Sequence, residues 1–116
     1  MFGKVREVQS PGELMHECVV IDVDKDMRGM VASISRLSFD DYNRGPVEAK
    51  DVYKLDGDLL RKGDVVMLHT GSGAPSTRIL PGNRTLHLQY LNMGSAIWGG
   101  SNCRPVLSEI TYGRSI

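Results

Sequence analysis

Residues 63–98 read GDVVMLHTGSGAPSTRILPGNRTLHLQYLNMGSAIW, and this stretch decides the fold. It holds a short apolar run at 65–68, a polar segment at 69–83, and a run at 85–91 in which apolar and polar residues alternate. Strict alternation is typical of a strand that buries one face. The inward set is predicted to be Leu86, Leu88 and Tyr90, and the outward set to be Thr85, His87 and Gln89.

Short runs rich in β-branched residues recur in the rest of the chain, with turn residues between them. Cys18–Val23 (CVVIDV) is the clearest strand, because its alternate β-branched residues would share one buried face. Met30–Phe39 (MVASISRLSF) fits helical spacing as well as a strand, but its serines and β-branched residues favour the strand. Weaker strands are predicted at 4–9, 52–55 and 105–112, the first of them at a sheet edge.

The number and spacing of these runs predict an all-β fold. About seven short strands separated by turn signals are typical of a sandwich or barrel. We expect an immunoglobulin-like β-sandwich, with a small β-barrel as the alternative. No run has the pattern of an amphipathic helix of three turns. A chain of 116 residues fits a single domain, residues 1–116, with a core at roughly 13–113.

The overall charge argues against several classes of partner. Fourteen basic and fourteen acidic side chains cancel, and a neutral chain sets up no global field that attracts nucleic acid or an anionic membrane. No run approaches the roughly 20 apolar residues that cross a bilayer. Residues 1–12 (MFGKVREVQSPG) also lack the apolar centre of a signal peptide. We therefore expect a soluble chain with no membrane span and the cytoplasm as its default location.

The glycine-rich run at 69–73 (HTGSG) is similar to a phosphate-binding loop. Such a loop needs a helix N-terminus behind its glycines, and usually a lysine followed by serine or threonine. Ala74 and Pro75 follow here instead, and no lysine is near. The whole segment at 69–83 is therefore predicted to be a long flexible loop, and loops of that length in compact domains often have a function.

Zinc ligands are available but poorly arranged. The candidates are His16, His69, His87, Cys18 and Cys103. His16 and Cys18 would share a strand face, but the chain has no second close-spaced pair and no CxxC motif. We expect no metal site and no cofactor. The two cysteines are predicted to be buried thiols, with one disulfide as the alternative if their strands meet.

Catalytic patterns are sparse as well. A nucleophilic hydrolase places a base and an orienting group beside its nucleophile, and here serine, histidine and aspartate occur outside motifs such as GxSxG. An acidic run without the spacing of a calcium loop is predicted to be a solvated turn. Its members are Glu13, Glu17, Asp22, Asp24 and Asp26. Three arginines, Arg36, Arg78 and Arg84, would support at most weak contact with nucleic acid.

Several short motifs resemble the lamin-tail domain family in its bacterial form. The run at 63–73 (GDVVMLHTGSG) is similar to the family's GD-V-V-x-HTG-x-G pattern. Further matches lie at 17–21 (ECVVI), 83–85 (NRT), 90–92 (YLN), 97–98 (IW) and 110–113 (ITYG). The chain departs from the family at Gly99-Gly100, where the family has Asn-Asn, and at 35–38 (SRLS), where it has G-W-x-L.

The resemblance implies an immunoglobulin-like sandwich without known catalytic residues, used for binding or attachment. It favours a non-enzymatic module that binds a macromolecular partner, a protein in the first place, through the 69–84 loop. The residues expected to make contact are His69, Thr70, Ser72, Arg78, Asn83 and Arg84. One alternative is a small self-assembling structural protein, such as a phage or particle component, whose copies join through strand edges. A further alternative is a metal-dependent hydrolase that uses one of the three histidines.

Overall fold

The computed structural model describes residues 3–39, 46–100 and 103–111, which form eight β-strands and one turn of 3-10 helix, Gly57–Leu59. In chain order the strands are β1 (Gly3–Gln9), β2 (Cys18–Val23), β3 (Met30–Phe39), β4 (Pro46–Asp56), β5 (Val65–His69), β6 (Ser76–Leu80), β7 (Arg84–Tyr90) and β8 (Cys103–Thr111). The composition of residues 40–46 (DDYNRGP) predicts a loop, which lies outside the described residues except for Pro46, the first residue of β4. Tyr112, the end of the last predicted strand, also lies outside the described residues. No helix within the described residues is long enough to cross a membrane.

The strands form two sheets, one with the order β1-β2-β5-β7-β6 and one with the order β4-β3-β8. Every neighbouring pair is antiparallel except β5 and β7, which run parallel. Buried residues from both sheets form one core between them. The predicted all-β sandwich is therefore confirmed. A closed barrel is not found, because no strand pairing among the described residues joins the two sheets.

The core is built mainly from one face of each central strand. In β2, Val19 and Ile21 are fully buried, as their spacing predicts. In β3, which the structure confirms as a strand, Ala32 and Ile34 are fully buried on the facing sheet. Trp98, in the segment before β8, completes the cluster and is 4% exposed. Each large apolar side chain buried here stabilises the fold by about 1.5–3 kcal/mol.

The orientation predicted for β7 is wrong. In the parallel pairing of β5 with β7, Val66 lies beside His87 and Leu68 lies beside Gln89. Paired residues of neighbouring strands point to the same face of a sheet. Val66 and Leu68 are fully buried in the core, so the polar set of β7 faces the core side and the apolar set faces outward. Alternation identified the strand, but it could not identify the buried face because this sheet is apolar on both sides.

Leu86, one of the outward apolar residues of β7, belongs to a second, smaller cluster on the far face of the five-stranded sheet. Its buried members are Cys18, Val20 and Val65, and its partly buried members are Met67, Leu80 and Leu86. Four neighbouring strands contribute to this cluster. It therefore accounts for the outward position of Leu86 in β7.

The prediction of a single loop at 69–83 is also wrong, because residues 76–80 form β6. β6 pairs with β7 through a turn at 81–83, in which φ is 83° at Gly82 and 60° at Asn83. Glycine and asparagine tolerate this left-handed conformation better than other residues. A run of five residues flanked by Pro75 and Pro81 is too short to be recognised as a strand from its pattern. β5 and β7 are thus parallel neighbours, and β6 and β7 form a hairpin.

Replacing Ile34 by alanine should destabilise the fold, whereas the same change at Ile79 should not. Ile34 is fully buried, while Ile79 on β6 is 80% exposed. Truncating a buried isoleucine costs about 2–5 kcal/mol of unfolding free energy, and a surface change usually stays within about 0.5 kcal/mol. Urea unfolding followed by tryptophan fluorescence measures both variants. Equal stabilities would contradict this placement of the core.

Candidate functional site

The residues predicted to make contact do not lie together. His69, Thr70 and Ser72 are at the carboxyl end of β5. Asn83 and Arg84 are at the start of β7, and the parallel pairing places that start beside the start of β5. The length of β5, about 17 Å for five residues at 3.3 Å per residue, therefore separates the two groups.

Thr70 is buried, and its polar groups form hydrogen bonds inside the protein. Its hydroxyl donates a 2.6 Å hydrogen bond to Oε1 of Glu17, and both residues are 0% exposed. The amide of Thr70 also donates to the carbonyl oxygen of Glu17 over 3.1 Å. Thr70 is therefore not available for the predicted contact with a partner.

Glu17, predicted to lie in a solvated turn, is the centre of a buried hydrogen-bond network that we call the Glu17 hub. Its Oε1 accepts from the Thr70 hydroxyl and from the Ile97 amide at 2.9 Å. Its Oε2 accepts from the Gly12 amide at 2.7 Å and from the Trp98 amide at 3.1 Å. The turn after β1, the end of β5 and the segment before β8 thus meet at one carboxylate.

Burial and hydrogen bonding act on the ionisation of Glu17 in opposite directions. Removal from water raises the pKa of a carboxyl group, and hydrogen bonds donated to its ionised form lower the pKa. For Glu17 burial is the largest single effect, but the four donors together outweigh it and hold its pKa below the ordinary value. The group is therefore ionised at neutral pH and acts as a fixed acceptor.

The sequence signal for the hub is the position of Glu17 directly before β2. Residues 18–21 are all buried, and a charge at the end of a fully buried strand requires hydrogen-bond donors. That requirement predicts donors but does not identify them, because backbone amides leave no mark in a sequence and the Thr70 hydroxyl lies 53 residues away. Three of the four donors here are backbone amides.

A second buried polar pair joins β7 to the turn before β5. Nε2 of His87 lies 2.9 Å from Oδ2 of Asp64, and the two residues are 5% and 4% exposed. The Asp64 carboxylate also accepts from the amides of Thr85 and Arg61, at 3.0 and 3.1 Å. Burial raises the pKa of Asp64, but the hydrogen bonds from His87 and from these two amides outweigh burial and hold the pKa below its ordinary value. Because an ionised carboxylate can only accept, Nε2 of His87 carries the ring proton and donates a hydrogen bond to Oδ2 of Asp64.

A carboxylate–imidazole pair can activate a nucleophile that lies beside it. Within the described residues, no hydroxyl or thiol group forms a hydrogen bond with His87. A cavity of about 130 Å³ lies next to His87, and Tyr53 and Gln89 are among its lining residues. The Tyr53 hydroxyl donates to Oε1 of Gln89 over 2.9 Å. The arrangement therefore links the two sheets and fixes β7, without a nucleophile in place.

The candidate zinc ligands are dispersed. The described residues contain no group of three or more metal-ligating side chains. His16 is exposed, and His69 stacks on Tyr90 with ring centroids 4.9 Å apart. Burial raises the pKa of the fully buried Cys18 to about 11, so this thiol is protonated at neutral pH and is a poor metal ligand.

Cys18 and Cys103 are free thiols on different sheets, so the alternative of a disulfide is not found.

Residues 72–79 and 81–84 of the predicted contact segment are exposed, and most of them belong to the β6–β7 hairpin. Residues 76–79 are exposed, and Ile79 is 80% exposed although it is apolar. Arg78 pairs with Leu86 and Arg84 pairs with Leu80, so both arginines project from the outer face of the sheet. Residues 65–108 contain no aspartate or glutamate. The hairpin therefore carries two arginines and no acidic residue of its own.

Comparison of the chain with protein-family models, with curated proteins and with solved structures returned no match.

Replacing Thr70 by valine should destabilise the fold, because the Glu17 carboxylate would lose a donor without any large change of side-chain volume. Leaving a buried acceptor short of a partner costs about 1–3 kcal/mol of unfolding free energy. Thr77→Val is the matched control, since Thr77 is exposed on β6. Urea unfolding of the two variants measures the difference. A Thr70→Val protein as stable as Thr77→Val would contradict the hub.

Proposed function

We propose that the chain is a non-enzymatic β-sandwich module that binds a protein partner by strand addition at β6, within the 69–84 segment. The proposal rests on one observation: among the described edge strands, only β6 has neither a break in register nor a proline. An exposed, regular edge is a ready template for another strand. The partner would therefore be an extended segment of another protein.

The other three edges carry features that oppose strand addition. The edge strands of the two sheets are β1, β4, β6 and β8. β1 has a bulge between Val5 and Glu7, and β4 shifts register twice against β3. β8 contains Pro105, which lacks an N–H group. β6 keeps an unbroken register with β7 over residues 76–80, so its free edge is the best template of the four.

The side chains of the hairpin define the chemistry of the partner. An apolar residue of the added strand would cover Ile79, which is 80% exposed. Acidic residues of the partner would pair with Arg78 and Arg84, because the hairpin has no acidic residue of its own. Two arginines neutralise too few phosphates for strong binding to nucleic acid. The surface therefore favours an acidic, extended protein segment.

We also propose that the chain is a lamin-tail domain. The motifs at 17–21, 69–71 and 97–98 lie far apart in sequence, yet each contributes to the Glu17 hub. Motifs that form one buried network in space are expected to occur together in a family. This spatial agreement supports the resemblance and the binding role that it implies.

The same edge also favours a second candidate function, self-assembly. A second copy of the chain could present its own β6 to the first, because antiparallel pairing of two identical edges gives a closed, symmetric contact. Light scattering over a concentration series distinguishes the candidates. A chain that stays monomeric at high concentration favours a separate partner.

Replacing Ile79 by lysine should weaken partner binding at β6 without unfolding the protein. The probe is a displayed library of random peptides, from which the native chain should select extended segments with acidic and apolar residues. Amide NMR shifts caused by a selected peptide should concentrate in residues 76–80. The variant should bind that peptide at least about tenfold more weakly, because the apolar contact at residue 79 is lost and a charged group would lie against an apolar residue of the peptide.

Met15→Lys is the matched control, because Met15 is 81% exposed and Ile79 is 80% exposed. It changes an equally exposed apolar residue outside the hairpin and should bind the peptide like the native chain. Equal binding by the Ile79→Lys variant, or shifts confined to another strand, would contradict the proposal.

A further inference from the structure

A cleft of about 700 Å³ opens beside the strands β3 and β4, and no role described above accounts for it. Residues of those strands line one side of the cleft, and residues from the segment at 93–100 line the other. Pockets that hold small molecules usually measure about 300–1,000 Å³. The cleft contains no residue of the β6–β7 hairpin, so its occupant is independent of the partner proposed there.

Two cations stand side by side in this cleft. Arg36 of β3 pairs directly with Lys50 of β4, and both line the cleft. Arg36 lies on the same face of β3 as the buried Ala32 and Ile34, so the inner face changes from apolar to cationic at this point. Like charges directly opposite each other destabilise a sheet. No carboxylate of the described residues forms an ion pair with either cation.

Arg36 is held in a fixed orientation. Its Nε donates to the carbonyl oxygen of Ile97 over 2.8 Å, and its Nη1 donates to the Ser38 hydroxyl over 2.9 Å. Its Nη2 has no hydrogen-bond partner among the described residues. A guanidinium fixed through two nitrogens loses little conformational freedom when a third binds an anion.

The remaining walls of the cleft combine apolar side chains with glycine backbone, and part of them is fixed by the Glu17 hub. The apolar lining residues are Val52, Met93, Ala96 and Ile97. The amides of Gly12 and Ile97, two lining residues, both donate to Glu17. The parts of the wall at Gly12 and Ile97 therefore keep their positions without a ligand, as in most small-molecule sites.

We propose that this cleft binds a small organic anion that carries a carboxylate on an apolar body. The carboxylate would lie between Arg36 and Lys50, where it removes the repulsion of the two cations and accepts charge-assisted hydrogen bonds. The apolar body would lie against Val52, Met93 and Ile97. An inorganic anion would leave these apolar walls in contact with water, and a neutral ligand would leave the cations uncompensated.

Calorimetric titration with sodium hexanoate, 1-hexanol and sodium acetate tests this proposal on the native chain. Fluorescence gives a second readout, because Trp98, the single tryptophan, adjoins Ile97 in the wall of the cleft. Hexanoate should bind at least about tenfold more tightly than hexanol, which lacks the charge, and than acetate, which lacks the apolar body. Equal affinities, or no binding of hexanoate, would overturn the proposal.

Variants of Lys50 test the site without disturbing the anchored Arg36. Lys50 is exposed, so Lys50→Gln should leave the fold intact and weaken hexanoate binding by about tenfold. Lys50→Arg should retain the affinity. Lys54→Gln is the matched control, because Lys54 is exposed on the same strand and does not line the cleft. Equal affinities of Lys50→Gln and Lys54→Gln would overturn the assignment of the anion to this cation pair.

Discussion

A single buried carboxylate holds the connecting segments of this sandwich together. Glu17 is removed from water, and an ionised group in that position is tolerated only where donors replace the lost solvation. Three backbone amides and the Thr70 hydroxyl do so. No cation of the described residues pairs with Glu17. The network therefore depends on geometry, because each segment must bring its donor to the same point.

This constraint extends from the interior to the surface. The amide of Ile97 donates to Glu17, and its carbonyl oxygen accepts from Arg36. The hub therefore positions the cation of the proposed anion cleft through one intervening residue. The β6–β7 hairpin is not part of this network, and β6 is exposed along nearly its whole length. The fold thus combines a fixed network with an open strand edge, and the two proposed binding surfaces use these parts separately.

The sequence predicted those features that depend on neighbouring residues. The bounds of β2 and β3 were predicted correctly, because their runs are long and rich in β-branched residues. The buried face of β7 was predicted wrongly, since both faces of its sheet are apolar and His87 is buried against Asp64. The Glu17 hub was not predicted either, because the donors Thr70 and Ile97 lie 53 and 80 residues from Glu17 along the sequence. Only the strand pairing brings such partners together, and local pattern does not encode it.

Titration of the Glu17 side-chain carboxyl in the folded protein, followed by carbon NMR, tests this account most directly. The pKa of Glu17 should lie below the ordinary glutamate value, because four donors outweigh burial. A carboxyl with a lowered folded pKa adds stability above its unfolded pKa and loses it as the pH falls through its folded pKa. The unfolding free energy should fall over that range in the native chain. A Glu17 pKa at or above the ordinary value would contradict the account.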